Sequence, residues 1–263
     1  MLDRSSLRDD LPVTVIASLL TQNAEVRILD LGCGQCRLAR ALVDSRLDLS
    51  KLSYHGIELS ASLVSEVRAE QRRGVFKGFK SFEVKIRELT DLKGYDRAAF
   101  NVISSSNVLH EVWPDLFPGL LRDANRLLAP SGRLCLIDME RLPANEKEPY
   151  AVLWRSDEVD QILRAGGFKP YTSSHAKGGG ISVFDVQTAP AVSAVDAPAM
   201  AATVIRLLGE KKQEALEELL PASETRDDHD ESRVSRDRLA ALSIAIRRFE
   251  THTYTKVLSA HTS

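Results

Sequence analysis

The sequence predicts an open α/β fold, a sheet of buried strands with helices on both faces. Two observations carry that prediction. The stretch Val26–Leu42, VRILDLGCGQCRLARAL, passes from a short apolar run through a glycine turn into residues at helical spacing. Further short apolar runs then alternate with amphipathic helical stretches as far as about residue 190, the pattern of strands joined by crossover helices.

Residues 5–21 read as an amphipathic helix, with Leu7, Leu11, Val15, Leu19 and Leu20 on roughly one face. In the next stretch Ile28–Leu31 is too brief for a buried helix and suits a buried strand. Gly32-Cys33-Gly34-Gln35-Cys36 is the turn, and Leu38, Ala39, Ala41 and Leu42 mark the helix. Two glycines let the backbone take positive φ and approach a ligand closely, and Asp30 points a carboxylate into the turn. The third glycine of a G-x-G-x-x-G dinucleotide fingerprint would fall at position 37, where Arg37 stands, and no P-loop string is present. An acid here repels a pyrophosphate and welcomes a cation.

The second strand is expected over Lys51–Leu59, with Glu58 at its end, and Ser60 caps a helix over 61–73. Phe82–Leu89 and Phe100–Leu109 are the third and fourth strands. Where the fourth gives way to a loop stand Ser105, Ser106 and Asn107, then His110 and Glu111. Leu116–Leu128 is a helix, Arg126–Leu134 a helix stop and turn around Pro130 and Gly132, and Leu134–Met139 the fifth strand, ending in Asp138, Met139 and Glu140. The loop Arg141–Trp154 is expected to form part of a substrate wall, with Tyr150 and Trp154 either stacking an acceptor or anchoring the loop. Ser156 caps a helix over 157–165 that Gly166-Gly167 ends, and two strands, about 169–176 and 181–188, flank a glycine turn. A Pro/Ala-rich linker over 189–199 leads to two helical stretches, 200–219 and 232–258. Two helices alone bury little core, so they are expected to dock on the α/β unit, on a second copy or on a partner.

Composition excludes several classes. A formal net charge of −2 on 263 residues gives no general drive toward nucleic acid. No apolar run approaches the ~20 residues of a membrane helix, and the first residues, MLDRSSLRDD, lack a secretory pattern. Three cysteines without a disulfide framework point to a reducing compartment, the cytoplasm by default. Cys33 and Cys36 form a C-x-x-C without a second pair to complete a zinc site, so no metal is expected and both read as small residues of a tight turn.

Leu29-Asp30-Leu31-Gly32-Cys33-Gly34 resembles the first motif of the class I S-adenosylmethionine-dependent methyltransferases, with Cys36 where that family often has a third glycine. Arg87-Glu88-Leu89-Thr90-Asp91-Leu92 and Phe100–Leu109 are similar to its third and fourth motifs, with Asn101 where an Asp is common. Arg126–Leu134 resembles its R-x-L-x-P-G-G-x-L signature. The resemblance covers roughly residues 1–190 and implies a Rossmann-like sheet of order 3-2-1-4-5-7-6. It does not extend over 191–263, where the linker and the two helical stretches are expected to form a helical hairpin.

The resemblance further implies S-adenosyl-L-methionine as cofactor. Asp30, Gly32, Cys33 and Gly34 would hold its methionine end, with Ser105, Ser106 and Asn107 bordering it. Glu58 and Leu59 would meet the ribose side, and Glu88 and Leu89 the adenine, with Asp91 a rival in another register. His110 and Glu111 are the candidate catalytic residues, His110 as a general base. The acceptor would be a small molecule or a protein side chain. The alternative is a cofactor-binding module without turnover, whose tail, about 197–260, binds a second copy or a partner protein. An NAD(P) oxidoreductase is disfavoured by Arg37.

Overall fold

The computed structural model describes residues 6–140, 152–178, 182–222, 236–249 and 251. Chain order runs α1 (Ser6–Leu20), β1 (Val26–Leu31), α2 (Arg37–Asp44), β2 (Leu52–Glu58), α3 (Ala61–Arg72), β3 (Ser81–Ile86), β4 (Phe100–Ser106), α4 (Phe117–Leu127), β5 (Leu128–Met139), α5 (Ser156–Ala165), β6 (Tyr171–Gly178), β7 (Ser182–Pro190) and α6 (Ala197–Ala222). A last helix, α7, spans 236–249. The strands form a seven-stranded sheet of order β3-β2-β1-β4-β5-β7-β6. β1 to β5 pair in parallel, and β7 runs against both of its neighbours. This is the expected order.

β1 is buried on both faces apart from Arg27, which is why apolar Ile28 and Leu29 follow one another without alternation and the strand's acid, Asp30, is itself buried. Consecutive residues point to opposite sides of a strand. Ile28 therefore joins a core with Ile16 and Leu19 of α1, Leu42 of α2 and Val64 of α3, whereas Leu29 and Leu31 join the core on the other face. That second core holds Leu121 of α4 and Ile162 of α5. It also takes in Val204, Leu207 and Leu208 of α6, and Leu242 and Phe249 of α7. The described parts of the two C-terminal helices thus share the sheet's own core.

Several boundaries differ from the sequence reading. β2, β3 and β4 stop at Glu58, Ile86 and Ser106, so Leu59, Glu88, Leu89 and Asn107 lie on loops past the strand ends. The segment after α4 is not a free turn: Leu128 already pairs with Phe100, and the register shifts by a bulge before Val102 meets Arg133. Gly132 is required by space, since a Cβ there would sit 2.9 Å from the Ala129 carbonyl oxygen. Ser156 is the first residue of α5 rather than its cap. The cap is Arg155, whose N–H donates to the Glu158 carboxylate. Ser60 does cap α3, accepting from the Leu63 N–H.

Tyr150 and most of the loop expected as a substrate wall lie outside the described residues, as do the side chains of Leu7 and Leu11. Trp154 is an anchor: it is buried, its ring 6.3 Å from that of Phe117.

Candidate functional site

In an open parallel sheet the crevice opens at the carboxyl ends of the strands, where the strand order reverses. Here that point lies between β1 and β4. A cavity of about 930 Å³ occupies it, lined by the β1–α2 turn, the ends of β2 and β3 and the β4–α4 loop. That volume lies near the top of the ~300–1,000 Å³ of small-molecule sites, enough for a nucleoside and part of a second molecule.

The turn is held by its neighbours. Gly32 has φ +64, and a Cβ on it would lie 2.5 Å from Val108 Cγ2, so the β4–α4 loop packs directly onto its backbone. Cys36 also adopts the left-handed conformation, φ 56 and ψ 48, while fully buried. This is a conformation glycine takes without penalty, and a thiol occupies it. The Cys33 thiol packs toward Gly56, where a Cβ would sit 2.7 Å from its sulfur. Hydrogen bonding to Cys36 and burial push that thiol well above the ordinary range. Both cysteines are buried packing groups of the turn, and the Cys33 thiol is a poor nucleophile.

Asp30 is 4% exposed and accepts a hydrogen bond from the Tyr54 hydroxyl. Burial, then the Asp30 charge, pushes the Tyr54 pKa well up, so the phenol keeps its proton and stays a donor. Glu58 reaches back from the end of β2. One carboxylate oxygen accepts from the Gly34 N–H and the other from the Ser60 N–H, each at 2.9 Å. Glu58 thereby ties the second strand's tip to the glycine turn.

Glu88 and Leu89, on the loop after β3, also line the cavity. Asp91 does not line it and instead pairs with Arg87. Asp30, Gly32, Cys33, Gly34, Glu58, Leu59, Glu88, Leu89, Ser106, Asn107, His110 and Glu111 all line this one cavity. Ser105 does not: it is buried within β4, paired with Leu31 and Leu136.

The lining carries the acids Asp30, Glu58, Glu88 and Glu111 against one guanidinium, Arg37. Such a surface favours a cation and opposes a phosphate. Asn107, in the left-handed region with φ 56, lines the cavity, and its buried Oδ1 has no hydrogen-bond partner among the described residues. A buried acceptor left without a donor is costly, and a ligand N–H at this place would satisfy it.

His110 is 4% exposed, and its ring Nδ1 lies 2.6 Å from Asp138 Oδ1. Asp138 also accepts from the backbone N–H groups of His110 and Met139. An ionised carboxylate can only accept, so Nδ1 carries the proton and the basic lone pair is on Nε2. Glu111 Oε1 lies 4.0 Å from that Nε2. The His110–Asp138 pair was not read from the sequence, because the two stand on different strand ends 28 residues apart. The visible signal was only an acid at the end of β5. Val112, Trp113, Leu116 and Met139 also line the cavity without having been singled out for it.

Comparison with known proteins adds the following. A family model described as "Methyltransferase domain" matches residues 29–134. The highly reducing polyketide synthase stpks1 of Strobilurus tenacellus is 30% identical over 129 residues, 47% of this chain and 4% of that protein. The chain therefore corresponds to a small part of that curated relative's length. Among solved structures, the CurJ carbon methyltransferase superposes with a TM-score of 0.56 at 18% identity, over 72% of this chain and 54% of that one. The 1,6-didemethyltoxoflavin-N1-methyltransferase of Burkholderia thailandensis, with bound S-adenosylhomocysteine, gives a TM-score of 0.53 at 17% identity, over 73% and 80%.

Proposed function

We infer that this chain, which carries a methyltransferase domain of the class I S-adenosylmethionine-dependent fold, transfers a methyl group to an acceptor held in the cavity beside His110. The observation that carries the reading is the convergence on one cavity of an acid-lined glycine turn, an unsatisfied amide oxygen and a histidine oriented by a buried carboxylate.

The residues fit S-adenosyl-L-methionine on their own chemistry. Asn107 Oδ1 and the Asp30 carboxylate offer acceptors for an ammonium. The Glu58 oxygens each retain a lone pair for a ribose hydroxyl, and Leu89 with Leu59 offers apolar surface for a purine beside the Glu88 carboxylate. When bound, that cofactor supplies an electrophilic methyl on a sulfonium. The protein's own part is alignment, exclusion of water and removal of the acceptor's proton. Asp138 keeps Nδ1 protonated and the ring fixed, so Nε2 of His110 takes that proton, and the resulting imidazolium is stabilised by Asp138.

This arrangement suits an acceptor that must lose a proton as it reacts, such as an activated C–H, a hydroxyl or a thiol, more than an amine with its lone pair already available. A small molecule fits better than a protein side chain. Both the polyketide synthase and the CurJ carbon methyltransferase are proteins of small-molecule assembly or carbon methylation by their names. The three cysteines are free thiols, which suits a cytoplasmic setting, and no described helix is long and apolar enough to cross a membrane. A second copy or partner meeting the C-terminal helices would use their outward residues Ile205, Leu216 and Ile244.

Titration calorimetry with S-adenosylhomocysteine tests the cofactor assignment, and labelled methyl donor with a fractionated small-molecule extract tests transfer. Stoichiometric binding with label appearing in one fraction is expected. Absence of binding would overturn the reading, and binding without label in any fraction would favour the module without turnover.

A further inference from the structure

The β4–α4 loop carries both His110 and an aromatic side chain, and its far end is fixed by a residue distant in sequence. Trp113 lines the cavity, and the guanidinium carbon of Arg248, on α7, lies 4.3 Å from the centroid of its ring. The same guanidinium donates to both oxygens of Asp115, Nε at 3.0 Å and Nη2 at 3.3 Å. The Asp115 side chain is 1% exposed. A planar fork that grips a buried carboxylate and stacks on an indole is a stiff joint, and a lysine cannot reproduce its geometry. The partners are 133 residues apart, so the joint forms only when α7 is docked.

Beside this joint the cavity changes character. Asp30, Glu58 and Glu88 come from the tips of β1 and β2 and the loop after β3, whereas the lining from the β4–α4 loop and the end of β5 carries the apolar Val112, Trp113, Leu116 and Met139, with Glu111 its one acid beside His110.

We propose that Arg248 is a positioning residue for the methyl acceptor. Through Trp113 and Asp115, the C-terminal helix sets the apolar part of the wall that receives a planar, apolar acceptor next to His110. The proposal rests on reading the cavity as the place of methyl transfer. It gives the C-terminal helices a part in acceptor recognition besides their share of the core.

The test uses the full chain labelled with 5-fluorotryptophan. It contains two tryptophans, so two fluorine resonances are expected, and Trp113→Phe assigns them. Arg248→Lys keeps a positive charge opposite Asp115 but loses the planar fork, and Arg248→Ala loses both. In each, the Trp113 resonance should shift and broaden while that of Trp154 stays in place. S-adenosylhomocysteine affinity should stay within about twofold, because the helix touches the acceptor side only. Methyl incorporation into the small-molecule fraction should fall roughly tenfold at low extract concentration, as small misplacements at a reacting centre cost rates of this order. That loss should shrink at high concentration, the signature of weakened acceptor binding. Trp113→Phe should retain most incorporation and Trp113→Ala should not.

If Arg248→Ala does not fold, Arg248→Lys alone decides. An unmoved Trp113 resonance in Arg248→Lys, or undiminished incorporation in both Arg248→Lys and Trp113→Ala, would overturn the proposal. Failure of the unaltered chain to bind S-adenosylhomocysteine would instead overturn the reading of the cavity beneath it.

Discussion

Asp30 and Tyr54 illustrate how one buried contact ties the binding turn to stability. The phenol is held far above its ordinary pKa by burial and by the Asp30 charge, whereas the unfolded chain releases that proton near pH ~10. The folded state then binds more protons than the unfolded one above that pH, so this stability is fully present below it and declines as pH rises. Alkaline denaturation followed by circular dichroism should show this decline in the unaltered protein and a weaker slope in Tyr54→Phe. At the reacting end, His110→Ala should lower methyl incorporation by roughly 10²–10⁴-fold, the usual worth of a general base, with S-adenosylhomocysteine binding retained in calorimetry. An equal loss of binding would mean that the ring shapes the cavity rather than moving a proton. Glu58→Ala should both weaken cofactor binding and loosen the turn, because its oxygens hold the Gly34 and Ser60 N–H groups. Gln at that position keeps an acceptor and should be the milder change.

Among the elements, α5 and α6 are joined by a buried ion pair. Lys211 Nζ lies 2.6 Å from Glu158 Oε2, with the two side chains 6% and 1% exposed. The ammonium also sits 5.6 Å from the Trp154 ring centroid. Without Lys211 the buried Glu158 keeps only the Arg155 guanidinium, whose Nη2 lies 3.2 Å from Oε1, so Lys211→Ala should cost less than the ~3–5 kcal/mol of a fully unpaired buried charge in urea denaturation. Replacing both partners with apolar residues, Lys211→Met with Glu158→Leu, should recover much of that loss if the Coulombic pair is what matters. Glu158 also accepts from the Arg155 N–H at the helix cap, so the recovery should be incomplete. Gly166 marks the same interface: a Cβ there would lie 2.6 Å from the Met200 sulfur, which makes the small residue at the end of α5 a condition for seating α6.

At the scale of the whole molecule, the C-terminal helices complete one face of the sheet. Met200, Val204, Leu207, Leu208, Leu242 and Phe249 are buried in the same core as Leu121 and Ile162. At about 1.5–3 kcal/mol for each large apolar side chain buried, their removal costs about as much as the ~5–15 kcal/mol by which domains are stable. A chain ending at residue 196 should therefore lose cooperative thermal unfolding and bind a hydrophobic dye. A truncated chain that melted cooperatively would show that residues 1–190 stand alone as a domain.

The sheet order and the acids beside the glycine turn were legible in the chain, because strand periodicity, turn chemistry and a family-like motif are patterns of residues near in sequence, whereas the exact strand ends were not. Ser60 as a cap and the packing role of Cys33 and Cys36 were legible for the same reason. The pairing of His110 with Asp138, the grip of Arg248 on Asp115 and Trp113, and the seating of α6 and α7 were not. Each joins residues distant along the chain. Their spacing obeys no period, and only the burial of two helices against one face of the sheet decides which side chains meet.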